Sequence, residues 1–309
     1  MTVHLGVKSD PVESRFSFEW LFDVMQGQGI HRLQIGTSYP TFDAEDEYFR
    51  KLRATAEKMD VRISSLFTSH RELGGFASGD PFLEAGARRG WERIIHVAAL
   101  LGAESAGSNA GITMRDQPHL RERGIRAFFD AMKGLLRTAR TAGLKALTIE
   151  PMSSIWEYPS TPEEILQLTA ELGPFLAGNP DSTVPLFLCG DISHGVADAD
   201  RRVLHDNWSL FELEIPWMWE FHFKNTDAIF NSTFGFAPDE QARGIVDLRR
   251  LKDLIDRNAE RFPARAVTGY LELGGPKVGR EYSDPQLERM LVQSLEALRG
   301  VFGGEERKA

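Results

Sequence analysis

At 309 residues, with 42% hydrophobic side chains and no apolar run near the roughly 18 residues that cross a bilayer, the chain can bury one large core and offers no membrane span. Its 45 acidic and 36 basic residues leave a formal charge of −9, which opposes a nucleic-acid partner, because such binding rests on a basic face that displaces counterions. The single cysteine, Cys189, excludes an intramolecular disulfide and a thiolate zinc cluster, and in its apolar strand it reads as an inert thiol.

Residues 1–8 enter a strand pattern directly, without the charged start, apolar stretch and small-residue cleavage site of a secreted chain, so the expected location is the cytoplasm. Strand candidates are 4–8, 31–37, 61–69, 103–108, 145–150, 184–191, 218–224 and 266–273. Amphipathic stretches separate them and no Ser/Gly/Pro-rich linker intervenes, which predicts repeated βα units. Eight strands close a barrel. The expected fold is therefore α/β: a single-domain (β/α)8 TIM barrel over 1–302 with its active site at the C-terminal face, and a flexible tail at 303–309.

The connections 69–80, 109–118 and 225–246, the last carrying Phe230, Phe234 and Phe236, are long and Gly-rich and are expected to roof the barrel mouth. Over 119–142, Ile125, Phe128, Met132, Leu135 and Ala139 recur at helical spacing with Gly143 behind them. Thr161, Pro162 and Glu164 supply an N-cap, a first-turn proline and a capping-box partner, and Gly173 is expected to end that helix. Trp217, Trp219 and Phe221 offer an apolar surface for a homo-oligomer, although helix-to-barrel packing accounts for them as well. Asp284 and Pro285 open the last helix, Leu287, Leu291, Leu295 and Leu298 line it, and Gly300 is expected to stop it.

Four strand candidates in the second half end on a group able to ligate a metal: KALTIEP at Glu150, VPLFLCGDISH at Asp191 and His194, MWEFHFKN at His222 and VTGYLELGG at Glu272. Glu150 closes an apolar strand, where a carboxylate needs a cation, a donor or water; a salt bridge or a helix cap would account for it equally. Asp-x-x-His also arises in turns that cap themselves. His222 alternates with Phe221 and Phe223 and so faces away from them, as Glu272 faces away from Leu271 and Leu273. A lone strand histidine is commonly just a hydrogen-bonded core residue. Each bland reading suffices for one residue. One helix pattern separates each group from the next, however, so the four lie on successive strand ends and converge. Two Glu, one Asp and one His make a hard, oxygen-rich set suited to one Mn²⁺, Mg²⁺ or Co²⁺, with Zn²⁺ less favoured in the absence of thiolates.

On Glu150, the Asp191/His194 pair, His222 and Glu272, the chain resembles the xylose-isomerase-like barrel superfamily, in particular its sugar isomerase and 3-epimerase branch. The resemblance implies that Glu150, Asp191, His222 and Glu272 hold the metal and that His194 binds a substrate oxygen. It also implies that Glu150 and Glu272 are catalytic, moving a proton on and off opposite faces of an enediolate. A divalent ion beside the carbonyl acidifies the C–H and stabilises that enediolate.

Two positions depart from the branch: Trp156, with Glu157 beside it, and Ala228 stand where the epimerases carry a hexulose-binding Glu and Arg, which implies a shorter substrate. The same superfamily contains three-metal AP endonucleases, and His70 matches one of their extra ligands. The fourth strand, however, ends Gly107-Ser108-Asn109 without a histidine, which disfavours the nuclease reading; His70 and Asn109 are assigned to substrate instead. Met152 stands where xylose isomerases need lysine. The loop from Gly274 to Arg280, with Lys277 and Arg280, is a candidate phosphate site, and a solvated Gly-rich loop accounts for it equally; Lys8, Ser9 and Lys224 are other candidates near strand ends. Length and the openings HLGVKSDP and SFEWLF are similar to those of the tetrulose-phosphate epimerases of erythritol catabolism. The expected partner is a small ketose or ketose phosphate. An aldose–ketose isomerase and a catalytically silent sugar-binding barrel remain the alternatives.

Overall fold

A strand buried on both faces must pair on both edges and be covered by helices, and eight such units satisfy every edge by closing on themselves. A computed structural model of the chain, which describes residues 1–13, 15–36, 39–68, 71–274 and 284–303, shows this closure. The barrel strands are β1 (Thr2–Lys8), β2 (Arg32–Ile35), β3 (Arg62–Phe67), β4 (Ser105–Ser108), β5 (Ala146–Ile149), β6 (Leu186–Asp191), β7 (Met218–Phe223) and β8 (Ala266–Leu271). Each pairs in parallel with the next and β8 returns to β1, the arrangement of a (β/α)8 TIM barrel. Register then fixes height: Asp191 pairs with His222, and His222 with Tyr270, so the ends of β6, β7 and β8 are level. Among the described residues, no helix is long and apolar enough to cross a membrane.

Alternation along β7 sends Phe221 and Phe223 outward, against Phe211 and Phe302, and leaves Glu220 and His222 facing inward. Phe221 is fully buried and is no part of an oligomer surface, because a helix covers that face of the sheet. Trp219 stacks on Phe187.

Local signals set most helix starts. The Thr161 hydroxyl accepts from the Glu164 amide, and Glu164 reaches back to the Ser160 amide at 2.9 Å. Neither expected glycine stop holds. The helix Pro162–Ala177 runs through Gly173, and Asp284–Phe302 runs through Gly300. In both cases the apolar residues beyond the glycine, Phe175 with Leu176 and Val301 with Phe302, pack on the core and outweigh a helix penalty of about 1 kcal/mol for one glycine.

The connection 69–80 is mostly a 3-10 helix, Arg71–Ser78, pinned by buried Phe76 against Phe128. The connection 225–246 is also ordered. Asn225 and Phe234 exchange both backbone hydrogen bonds at 2.8 Å, and the Asn225 side-chain oxygen accepts from Val246 at 2.9 Å, tying the start of the excursion to its end. A short antiparallel hairpin, Val196–Ala197 with Val203–His205, lies between β6 and β7, where the sequence carries no strand pattern.

Candidate metal centre

Glu150 is the first residue beyond β5, Asp191 the last of β6, His222 lies one residue short of the end of β7, and Glu272 is the first residue beyond β8. Their ligand atoms all lie within 4.8 Å of one another. His222 Nδ1 stands 2.9 Å from Glu150 Oε1, 2.8 Å from Glu272 Oε2 and 3.9 Å from Asp191 Oδ2. His222 Nε2–H donates to Gln34 Oε1 at 2.8 Å, with Cys189 Sγ at 3.4 Å from the same nitrogen. That bond keeps the proton on Nε2 and presents the Nδ1 lone pair to three carboxylates.

Such an arrangement repels itself unless a cation fills it. Burial opposes charge on the His222 ring, but Cys189, Glu272 and Glu150 outweigh it and raise its pKa well above the ordinary value, so a proton is held there when no other cation is. Charge counting points the same way. Glu150, Asp191 and Glu272 bring three carboxylates together beside the ammonium groups of Lys8 and Lys224, and a divalent ion would add positive charge at the point where the three meet. Hard oxygen donors with one imidazole fit Mn²⁺-like ions, and the quartet could hold one.

The two lysines are brought closer than strand position alone suggested. Lys8 is fully buried, 2.7 Å from Asp10 and 3.5 Å from Glu272 Oε2, over the Phe67 ring. Lys224 lies 2.8 Å from Asp191 Oδ2 and donates to Glu272 Oε1 at 3.4 Å. Burial would raise the Glu272 pKa, but Lys224, Lys8 and His222 override it and hold the carboxyl well below the usual range. Burial likewise pushes the Cys189 thiol up to about 12, as an inert core thiol requires.

His194 sits against the quartet: Nδ1–H donates to the Pro151 carbonyl at 2.7 Å, leaving Nε2 to accept from Lys224 at 3.3 Å, also 3.3 Å from Asp191 Oδ2. Asn109 is buried just past β4, but its amide donates to Met152 Sδ and makes no hydrogen bond to the quartet. His70, Lys277 and Arg280 lie outside the described residues. Glu157 is buried in a rim where Thr113 N–H donates to the Trp156 carbonyl at 2.8 Å, joining the connections after β4 and β5. Sequence reasoning missed Gln34, since nothing in RLQI marks it as the partner of a histidine 188 residues away.

A family model described as xylose isomerase-like TIM barrel matches residues 23–291. No curated protein sequence matches significantly. Among solved structures, the chain is similar to a putative xylose isomerase from Rhodospirillum rubrum ATCC 11170, at TM-score 0.76 and 20% identity over 97% of this chain and 99% of that one. It is also similar to D-psicose 3-epimerase from Clostridium cellulolyticum H10, solved with D-tagatose, at TM-score 0.70 and 13% identity over 97% and 99%. A third is the 3-keto-D-glucoside 4-epimerase of E. coli, at TM-score 0.63 and 12% identity over 97% and 100%. With the fold, the strand-end quartet and a family match spanning most of its length, the chain belongs to the xylose isomerase-like TIM barrel family.

Proposed function

We propose that the protein is a metal-dependent sugar 3-epimerase acting on a short ketose phosphate, such as erythrulose 1-phosphate, with Glu150, Asp191, His222 and Glu272 holding one divalent ion, Mn²⁺, Mg²⁺ or Co²⁺. The observation that carries this reading is the placement of two glutamates, from β5 and β8, on one ligand cluster that also contains two buried ammonium groups. The ion, when bound, supplies Lewis acidity to the carbonyl. Proton movement falls to the protein. Among the described residues no ammonium group pairs with Glu150, so its carboxylate is the one to take the proton from C3. Glu272, held ionised by Lys224 and Lys8, takes up a proton from solvent and, acidic in that setting, passes it to C3 on the other side of the planar intermediate, while the proton held by Glu150 returns to solvent. Reversal of these roles gives the back reaction.

Lys224, the less buried lysine, and Lys8 are the cations that suit a phosphate carried on the carbon next to the carbonyl. The fold likeness to sugar epimerases supports the class of reaction, and Trp156 and Ala228, in place of hexulose-binding groups, support a substrate shorter than a hexulose.

The test is incubation with Mn²⁺ and erythrulose 1-phosphate in deuterated water. The expected result is deuterium at C3 with inversion there, lost in Glu272→Gln with the fold intact. Label at C1 or C2 would instead identify an aldose–ketose isomerase, and no exchange with any ketose would leave a silent sugar-binding barrel.

A further inference from the structure

The interior of a TIM barrel is ordinarily filled by layers of bulky branched side chains. Beneath the quartet this barrel instead carries a connected polar layer contributed by five strands. Gln34 of β2, Ser65 of β3, Ser105 of β4, Thr148 of β5 and Glu220 of β7 are all buried. Their hydrogen bonds run in one direction. His222 Nε2–H donates to Gln34 Oε1 at 2.8 Å, Gln34 Nε2 donates to Ser65 Oγ at 3.3 Å, and Ser65 Oγ donates to Glu220 Oε1 at 3.1 Å. Thr148 donates to the same carboxyl oxygen at 3.0 Å and Ser105 to the other at 3.4 Å. Every side chain along this path accepts from the quartet side and donates toward Glu220, so the terminal acceptor orients the whole chain.

We propose that Gln34 is a positioning residue for metal binding, with Ser65 and Glu220 holding it in place. The column fixes the amide of Gln34 with its oxygen toward His222, which keeps the imidazole proton on Nε2 and commits Nδ1 to the metal. A purely structural polar layer would need no particular amide orientation at Gln34, since either amide end could satisfy a serine. The orientation matters only to His222. An acceptor behind a metal-ligating imidazole both selects its tautomer and raises its basicity, and losing such an acceptor weakens metal binding by about 10–100-fold.

The inference rests on the metal reading, and one experiment separates the two. Mn²⁺ affinity is measured from the free-ion electron paramagnetic resonance signal, with the melting temperature of the metal-free protein as the control on folding. Wild type binds one Mn²⁺; Gln34→Leu binds it about 10–100-fold more weakly, and Gln34→Glu, which keeps an acceptor at Nε2, binds at least as well as wild type. Glu220→Gln and Ser65→Ala, milder changes at the far end of the column, weaken binding several-fold, and they carry the test if Gln34→Leu does not fold. Wild-type affinity in a folded Gln34→Leu, or in both milder variants should Gln34→Leu fail to fold, overturns the inference. Failure of the wild type to bind Mn²⁺ overturns the metal reading itself.

Discussion

Lys224 Nζ stands 2.8 Å from Asp191 Oδ2, so an ammonium group from beyond β7 occupies the flank of a carboxylate that also faces His222. It bridges to Glu272 Oε1 and to His194 Nε2 as well. Asp191, Glu272 and His194 therefore share one fixed positive charge. Burial opposes that charge, but Asp191, Glu272 and Glu150 raise the Lys224 pKa and keep it cationic.

Lys224→Met is expected to separate two effects of that charge. Without the ammonium group, Asp191 and Glu272 repel each other, and breaking a buried pair costs about 3–5 kcal/mol, so the metal-free protein melts at a lower temperature. A divalent ion then meets less competition for the same oxygens, so Mn²⁺ binds about tenfold more tightly and recovers most of the lost stability. Thermal melts across a Mn²⁺ titration check both parts; equal metal-free melting temperatures in variant and wild type would contradict the first.

Stripping metal with a chelator should lower the melting temperature, because an ion that binds only the folded state stabilises it by about 2.7 kcal/mol at a hundredfold excess over Kd. Asp191→Asn should abolish that response. Its Oδ1 accepts from the Ser193 amide at 2.8 Å, a bond that an asparagine oxygen keeps, so the turn survives while the ligand charge is lost. A metal-dependent melting shift of wild-type size in Asp191→Asn would remove Asp191 from the ligand set.

Much of this geometry is legible in sequence because it follows from short-range rules. The Phe221-His222-Phe223 alternation dictates which way the imidazole points, and capping residues mark where the helix at Pro162 begins. Strand ends mark the mouth of the barrel, so Glu150 and Glu272 can be placed there before any contact is known. Gln34 is different. On an isolated strand its face would be solvated, and only closure of β2 against β3 and β1 makes that face interior. Gly173 and Gly300 fail as stops for a related reason: the packing of Phe175 and Phe302 is tertiary, and no local glycine rule contains it. The depth to which Lys8 and Lys224 are buried beside Glu272 likewise depends on three strands meeting.

Gly195 follows His194 and lies against the Phe230 ring; a Cβ added there would fall 2.4 Å from Phe230 Cζ. Phe230 is held at φ +60° on a turn whose Asp227 accepts from the Ile229 and Asn231 amides at 3.0 Å, so the ring cannot retreat freely. Gly195→Ala should destabilise by about 1–3 kcal/mol, the usual cost of overpacking. Adding Phe230→Ala should restore part of that loss. The melting temperatures of the single and double variants check this, and strictly additive destabilisation would show that the two positions do not press on each other.

Glu214 carries a pH prediction. It ends the helix Asn207–Glu214, is buried, and its Oε2 has no hydrogen-bond partner among the described residues. Burial, then the nearby Asp191 and Glu150 carboxylates, raises its pKa well above the ordinary 4.5. A group that binds its proton more tightly when folded favours the fold at low pH. That advantage declines as pH rises past the unfolded value and is gone above the folded one. Glu214→Gln removes the ionisation and should therefore matter little near pH 4 but stabilise the protein at pH 8, by about 1 kcal/mol or more, the scale of desolvating one unpaired polar group. Melting curves of wild type and variant should thus diverge with rising pH, the variant melting higher. Parallel curves across that range would mean that Glu214 binds its proton no more tightly in the folded protein than in the unfolded chain.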